Sequence, residues 1–300
     1  MNYGITIATV GDWPFIEITP DEFQRIKIAR ANLLVALGIE EKFQLLVDNY
    51  AEYESAVFSI AQQRMIRGDA DWSIAMDDML LLSRRLANVL TSGRLYTDQL
   101  KHEIADLFGK DSALSAKVKA AFSREYDAAI GYRVMEALRN YVQHQALPEC
   151  RMRYGPEKVN RPCGQLIRYS LKLELDVVAL RNSTFKASVL AELEQREEAR
   201  NVTFALRQFL QGLSRVHYDI RNWIDSEVAS WKATLDGVLE VGTAQIGQTN
   251  VLAAVARDDD GNHPEIIVVF TDIIKRLDAL KSRYRDLGLL AGWFVSGEIG

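Results

Sequence analysis

The sequence predicts a mainly α-helical protein with long helices and a small β element. Apolar residues recur every three or four positions through most of residues 20–147 and 184–238, which is the spacing of an amphipathic helix. Apolar and polar side chains alternate most clearly within residues 165–179, which is the spacing of a strand. The two helical segments cover more than half of the chain, so helices determine the predicted fold class.

The composition is typical of a folded protein. The 300 residues carry a net charge of −5 and are 48% hydrophobic, so disorder is not expected, and one extended domain or two domains are expected. The sequence has no run of 18 apolar residues and no signal-peptide pattern, and its two cysteines are too few for a disulfide scaffold. We therefore expect a reduced, cytoplasmic setting. The acidic balance argues against bulk coating of nucleic acid but permits a local basic site.

The N-terminal residues are predicted to form strands followed by a capped helix. Residues 5–10 and 15–18 are rich in β-prone side chains and flank a Gly-Asp-Trp-Pro turn, which favours two short strands or a hairpin. Thr19 and Glu22 have the spacing of a capping box, with a proline in the first helical turn. Gly38 is predicted to separate this helix from the next one.

The region that follows is predicted to be helical up to a proline. Helical spacing predicts helices over residues 40–66, 72–91 and 95–108. A longer helix is predicted to begin at a cap formed by Asp111-Ser112 and to end at Pro148. Because its apolar residues step by four positions, the buried stripe spirals around this helix and is expected to contact several neighbours.

A change in composition marks the middle of the chain. Residues 149–164 contain Gly, Pro, Asn and several Arg, which is typical of a loop or hairpin. The strand predicted over residues 165–179 needs a pairing partner, and the N-terminal extended segment is the expected one.

The second half of the chain is predicted to be a helical extension. The helical region over residues 184–238 is expected to break near residue 200 or 213. A turn is predicted at residues 258–262, and a final helix is predicted to begin at Pro264. The predicted organisation is a helical domain with short strands over residues 1–150, a basic loop and strand over 151–180, and a helical extension over 181–300.

Three side chains near the end of the long predicted helix form a candidate active site. Asn140 and His144 share a helix face, and Arg139 lies one step around the helix. Arginine binds phosphate oxygens with a forked donor set, histidine transfers protons near neutral pH, and asparagine can hold a hydroxyl or orient the imidazole. These groups suffice for RNA cleavage by attack of the 2′-hydroxyl on the adjacent phosphate, without a metal or another cofactor.

The motif string carries a resemblance to a known superfamily. Arg-Asn-x-x-x-His resembles the Arg-polar-x3-His signature of HEPN domains, an α-helical superfamily found in prokaryotic toxins, anti-phage systems and CRISPR-associated ribonucleases. The segment ALRNYVQHQALP also resembles a group of uncharacterised bacterial proteins that share an LRNYxQHxxLP segment. The resemblance is detailed over residues 120–150 and looser over residues 20–150.

The resemblance implies a fold, an assembly and an activity. It implies a helical bundle whose two protomers pair so that both motifs face one cleft, and RNA products that end in a cyclic phosphate and a 5′-hydroxyl. By motif position, Arg139 binds phosphate, Asn140 is the polar second residue, and His144 is the acid and base. The implied protein is a toxin or phage-defence endoribonuclease that acts as a homodimer on RNA, outside membranes, with an antitoxin or a defence-system protein as a further partner.

Basic residues follow the motif directly and are candidates for RNA contacts. Arg151, Arg153 and Arg161 can bind phosphates beside the motif, and Tyr154 can stack on a base. A solvated loop explains the same residues equally well.

Other interpretations of these residues stay open. His144 can serve only the helix dipole while Arg139 forms a surface ion pair, which leaves a non-catalytic scaffold, a regulatory protein or an RNA-binding sensor that retains the fold. Metal binding by His144, Cys150 and Cys163 is not expected, because no second cysteine pair is present. His217 is expected to be a structural histidine in the second helical region.

Overall fold

Helices dominate the structure. The computed structural model of the chain describes residues 1–9, 11, 13–68, 71–144, 147, 150–161, 164–247, 251–293 and 295, without the side chains of Arg161 and Thr271. Most of these residues are helical, which confirms the predicted mainly α fold class. Within the same ranges, no helix combines the length and the apolar composition that crossing a membrane requires.

The described ranges contain nine helices and six strands. The helices are α1 (Pro20–Arg67), α2 (Trp72–Phe108), α3 (Ala113–Ala128), α4 (Ile130–His144), α5 (Val177–Arg181), α6 (Ala187–Gln195), α7 (Val202–Trp223), α8 (Asp225–Ile246) and α9 (Thr271–Arg283). The strands are β1 (Asn2–Ile7), β2 (Ile16–Ile18), β3 (Cys150–Arg161), β4 (Gly164–Leu175), β5 (Leu252–Arg257) and β6 (Glu265–Val269). Short 3-10 turns lie at Glu197–Arg200 and Leu290–Gly292.

The chain divides into two compact units. The sheet unit contains Met1–Glu41 and Ile220–Arg285, and the helical unit contains Lys42–Asp219 and Asp286–Gly300. The helices α1 and α7 each contribute residues to both units. This division differs from the predicted one at residues 150 and 180, because each unit joins segments that are distant in the sequence.

The sheet unit is built on a four-stranded antiparallel sheet with the strand order β2-β1-β5-β6. β1 pairs with β2 through Gly4 and Glu17, and with β5 through Gly4 and Val255. The expected pairing of the N-terminal segment with the strand at residues 165–179 is therefore wrong, because β2 and β5 occupy both edges of β1. Val10, at the end of the predicted N-terminal strand, lies outside the described residues.

β5 and β6 lie where the sequence analysis predicts no strand. Every residue of β5 from Leu252 to Ala256 is buried, so this strand lacks the alternation that marks a half-exposed one. Pro264 is predicted to begin a helix, yet the residues directly after it form β6, and α9 begins only at Thr271. The prediction is wrong because β-branched side chains favour a strand when a neighbouring strand is available.

α1 begins at the predicted capping box and continues through Gly38. The Thr19 backbone N–H donates to Glu22 Oε2 over 2.7 Å, and the Glu22 N–H donates to Thr19 Oγ1 over 3.2 Å, which confirms the box. The predicted break at Gly38 is wrong, because α1 runs unbroken through it. A helical glycine costs about 1 kcal/mol relative to alanine, and burial of the neighbouring Ile39 side chain stabilises the helix by more than that.

α2 is one continuous helix where the sequence predicts two. Gly93 lies in its middle, and a Cβ on this glycine would come within 2.7 Å of Phe209 Cε1 in α7. The glycine therefore permits close contact between α2 and α7 and does not end the helix.

The long helix predicted from Ser112 is divided into α3 and α4. Of the predicted capping pair Asp111-Ser112, Ser112 caps α3, but Ala129 interrupts the helix with an extended backbone, at φ −128° and ψ 124°. The break lets α4 approach α7 so closely that a Cβ on Gly131 would lie 2.8 Å from Ala205 Cα. α4 ends at His144, and the predicted stop at Pro148 lies outside the described residues.

α7 carries the predicted structural histidine. The chain breaks near residue 200, one of the two predicted places, and α7 then continues through Leu213. His217 is 0% exposed, its Nδ1 lies 2.9 Å from the Tyr96 hydroxyl, and its ring stacks on Phe43 with the centroids 3.8 Å apart. These contacts confirm that His217 belongs to the core of the helical unit.

β3 and β4 form a long antiparallel hairpin within the helical unit. Their pairing runs from Cys150 and Leu175 to Arg161 and Gly164 at the turn. The predicted strand is thus confirmed over β4, whereas residues 177–181 form the short helix α5. The partner of β4 is the segment for which the sequence predicts a loop or hairpin.

Candidate functional site

The end of α4 carries the predicted motif on a helix with one buried face. Val134, Met135 and Leu138 are buried, whereas Asn140 and His144 are exposed. Because Asn140 and His144 are four residues apart, they lie one turn apart on the same side of the helix. A carboxamide and an imidazole at this spacing can contact one ligand together.

The Arg139 side chain lies on a different side of α4 from His144. Arg139 and His144 are five positions apart in the sequence, which corresponds to about 140° of rotation around a helix. The Arg139 side chain is 13% exposed, its Nη1 donates to Gln143 Oε1 over 3.1 Å, and its Nη2 lies 3.5 Å from Glu136 Oε2. Its Nε is buried and has no hydrogen-bond partner among the described residues. A single chain therefore brings Asn140 and His144 together without Arg139.

Glu136 is a neighbour of the motif that the sequence analysis does not identify. It lines a cavity of about 280 Å³ among α2, α3 and α4, together with Lys101 and Tyr132. Burial lowers the pKa of Lys101, whose ammonium lies 4.8 Å from the centroid of the Phe122 ring. Burial also raises the pKa of Tyr132, and the charge of Glu136 adds to this effect. The only feature of the sequence that points to Glu136 is its three-residue spacing to Arg139, which is common on helix surfaces.

Two of the predicted RNA-binding arginines are exposed on β3 and ion-paired. The side chains of Arg151 and Arg153 are 58% and 68% exposed. Arg151 Nε donates to Asp176 Oδ2 over 2.7 Å, and Arg153 Nε lies 3.3 Å from Glu174 Oε2. The Arg151 guanidinium lowers the pKa of Asp176. Exposed ion pairs of this kind are weak, so a phosphate group can compete for both arginines.

The other two predicted RNA-binding residues are placed differently. The Arg64 guanidinium lies 5.0 Å from the centroid of the Tyr154 ring and covers one face of it. Arg64 is only 7% exposed and forms an ion pair with Asp78 of α2. Tyr154 thus connects the hairpin to the helices and leaves at most one ring face for a base. Arg161 is the last residue of β3, and its side chain lies outside the description.

Of the three residues for which metal binding is not expected, His144 and Cys150 lie within the described ranges. Within the described ranges, no group of three or more His, Cys, Asp or Glu side chains is arranged to hold a metal ion. Cys150 is a half-buried cysteine at the start of β3, and Cys163 lies outside the described residues.

A second, larger cavity in the helical unit has no counterpart in the sequence analysis. It has a volume of about 1140 Å³ and is lined by α1, the β3–β4 hairpin and the start of α7. Arg207 in its wall forms two bonds to Glu54, from Nε to Oε1 over 2.6 Å and from Nη2 to Oε2 over 2.9 Å. The Glu54 carboxylate raises the pKa of Arg207. Sequence patterns are local, so they give no signal for a cavity whose walls come from distant segments.

Comparison with known proteins identifies no relative of this chain. No family model, no curated protein and no solved structure matches it. The resemblance to HEPN domains stays a prediction that rests on the motif residues.

Proposed function

We propose that this chain is a metal-independent endoribonuclease that resembles HEPN-type toxins and phage-defence nucleases and acts as a homodimer. The observation that carries the proposal is the exposure of Asn140 and His144, one turn apart, at the end of α4. An imidazole that is open to solvent can receive a proton from an RNA hydroxyl, whereas one sealed in a core cannot.

The proposed reaction uses the RNA as its own nucleophile. The imidazole of His144 takes the proton of a ribose 2′-hydroxyl, and the 2′-oxygen attacks the adjacent phosphorus. The bond from phosphorus to the 5′-oxygen breaks, and that oxygen receives a proton from the imidazolium of the second protomer. The products are a 2′,3′-cyclic phosphate and a 5′-hydroxyl. Asn140 holds the attacking hydroxyl beside His144.

In the proposed homodimer, the second protomer supplies a cation beside His144. Arg139 lies about 140° around the helix from His144, so we assign phosphate binding to Arg139 of the opposing protomer. Charge on the pentacoordinate phosphorus is then stabilised by a guanidinium with forked donors. Arg151 and Arg153 extend the basic surface and contact flanking phosphates in place of their carboxylate partners Asp176 and Glu174.

RNA cleavage in a chelator tests this proposal. Purified full-length protein is incubated with a mixed-sequence fluorescent RNA in EDTA, and the same assay is run with His144→Ala and with His102→Ala. His102 is a matched control, because it is an 80% exposed histidine on the helix α2. We expect cleavage by wild type and His102→Ala and its loss in His144→Ala. Absence of cleavage by wild type, or equal cleavage by all three proteins, contradicts the proposal.

A specific observation favours a second candidate, a non-catalytic scaffold or regulatory protein that retains the motif. The Arg139 side chain is 13% exposed and bonds along its own helix to Gln143, so the arginine can serve to stabilise the end of α4. This candidate predicts that Arg139→Ala lowers the melting temperature, that His144→Ala changes the free energy of unfolding by about 0.3–1 kcal/mol through loss of the helix-dipole contact, and that the wild-type protein does not cleave RNA.

A further inference from the structure

The cavity of about 280 Å³ among α2, α3 and α4 has the features of a site for a small polar molecule. We call it the α2–α4 cavity. Its volume is just below the range of about 300–1,000 Å³ that is usual for ligand sites, which favours a small ligand. The rings of Phe122, Tyr126 and Tyr132 line it, together with two cationic and two anionic side chains of the described residues. Aromatic rings around a few polar groups are typical of sites that orient a ligand.

Lys101 brings a half-buried ammonium to this cavity without an anionic partner among the described residues. Its Nζ lies 4.8 Å from the centroid of the Phe122 ring, and no described carboxylate forms an ion pair with it. Burial lowers the pKa of Lys101, although the charges of Asp98 and Glu136 oppose this shift. Because charges that are withdrawn from water are normally paired, the ammonium offers a binding position for an anionic group.

The hydroxyl of Tyr132 is a second donor that no described residue uses. Tyr132 is 3% exposed, and its ring packs against the rings of Phe209 and Tyr126, with the centroids 5.0 Å and 6.3 Å away. The hydroxyl forms no hydrogen bond with a described residue, yet its oxygen is not sealed from solvent, so it opens into the cavity that Tyr132 lines. Since buried hydroxyls normally form hydrogen bonds, a ligand acceptor fits beside this one.

Glu136 offers an acceptor on the same face of α4. It lies one helical turn after Tyr132, and its negative charge favours the protonated forms of both Tyr132 and Lys101. Glu136 Oε2 lies 3.5 Å from Arg139 Nη2, and no described donor binds Oε1. Glu136 and Lys101 are thus close to each other without forming an ion pair, which leaves room for a ligand between the two charges.

The charged side chains of the described lining balance each other in sign. Arg94, the second cation, forms an ion pair with Asp98 on α2. Asp127, the second anion, is exposed, and its carboxylate forms no ion pair with a described residue. A simple anion would be repelled by Glu136 and Asp127, and a simple cation would be repelled by Lys101. The lining therefore favours a ligand that carries one charge of each sign.

We propose that the α2–α4 cavity binds a free α-amino acid in its zwitterionic form. The ligand carboxylate pairs with the Lys101 ammonium and accepts a hydrogen bond from the Tyr132 hydroxyl. The ligand ammonium pairs with the Glu136 carboxylate, and Asp127 adds negative charge to the same cavity. Both ligand charges are attached to a single carbon atom, so they match two protein charges that are close together but not in contact. This inference does not depend on the proposed nuclease activity.

Calorimetric titration of the full chain with each of the twenty proteinogenic amino acids tests the proposal. We expect at least one of them to bind. The tightest ligand is then compared with two analogues, the same molecule without its α-amino group and the same molecule without its α-carboxylate, and each analogue should bind at least tenfold more weakly. Absence of binding by all twenty overturns the proposal, as does an analogue that binds as tightly as the amino acid.

Two conservative variants test whether the binding site is this cavity. Lys101→Met removes the charge but keeps an unbranched side chain, and Tyr132→Phe removes only the hydroxyl. We expect the affinity for the tightest amino acid to fall at least tenfold in Lys101→Met and at least threefold in Tyr132→Phe. Lys110→Met is the matched control, because Lys110 is an exposed lysine that does not line the cavity; its affinity should stay within twofold of wild type. An affinity within twofold of wild type in Lys101→Met or in Tyr132→Phe overturns the proposal.

Discussion

Replacing Gly131 with alanine tests the contact that positions the motif helix. A Cβ at Gly131 would lie 2.8 Å from both Cα and O of Ala205 in α7, and 2.5 Å from Gln208 Oε1. Gln208 Oε1 also accepts the Gly131 backbone N–H over 2.8 Å. Since two of the three close atoms belong to the backbone, α4 and α7 must move apart to accommodate the methyl group.

The expected magnitude follows from two opposing effects. A helical alanine is favoured over glycine by about 0.5–1 kcal/mol, and overpacking of a close contact costs about 1–3 kcal/mol. The net expectation for Gly131→Ala is a loss of roughly 1–2 kcal/mol in the free energy of unfolding. At roughly 2–4 °C per kcal/mol for a unit of this size, the melting temperature should fall by roughly 2–8 °C.

Gly237→Ala is the matched control for this substitution. Gly237 lies within α8, and a Cβ on it would meet no atom within 4 Å. We expect this variant to gain about 0.5–1 kcal/mol from helix propensity, so the two variants should shift in opposite directions in melts followed by circular dichroism. If Gly131→Ala is as stable as Gly237→Ala or more so, the close approach of α4 to α7 is refuted.

Three further predictions concern the core, the hairpin and its ion pair. His217→Ala removes the ring that stacks on Phe43 and should lower the free energy of unfolding by about 2–4 kcal/mol in urea titrations; a change below about 0.5 kcal/mol would contradict its place in the core. Arg151→Ala and Arg153→Ala should each weaken RNA binding and reduce the salt slope by about 1 if both contact phosphates; unchanged slopes would exclude those contacts. Because Arg151 lowers the pKa of Asp176, their pair stabilises the hairpin above the ordinary carboxyl pKa of about 4 and is lost as pH falls through the lowered value. In Arg151→Ala, NMR titration should find the Asp176 pKa higher than in wild type, and an unchanged value would show that the pair does not cause the shift.

Local patterns in the sequence predict most of the helices and the strand that became β4. The capping box at Thr19 and Glu22 and the alternation in β4 are properties of neighbouring residues, and both are confirmed. The continuation of α1 through Gly38 and the break at Ala129 depend on burial and on contact between helices. Such effects are absent from any local pattern, so helix ends and strand partners were predicted less well than helix positions.

The sequence predicts only part of the candidate site, because local patterns do not include contacts between distant segments. Helical spacing alone places Asn140 and His144 on one side of α4, and both are exposed there. The direction of Arg139 depends on its bonds to Gln143 and Glu136 and on the surroundings that bury it. The cavity of about 1140 Å³ has no sequence signal, because its lining residues come from distant segments that meet only in the folded helical unit.

The chemical ends of the RNA products distinguish attack by the ribose 2′-hydroxyl from attack by water. Wild-type protein is incubated with a short RNA in EDTA, and the fragments are identified by mass spectrometry. We expect one fragment with a 2′,3′-cyclic phosphate and one with a 5′-hydroxyl, both absent with His144→Ala. Fragments that carry a 3′-hydroxyl and a 5′-phosphate, or an RNA that stays intact with the wild-type protein, would contradict it.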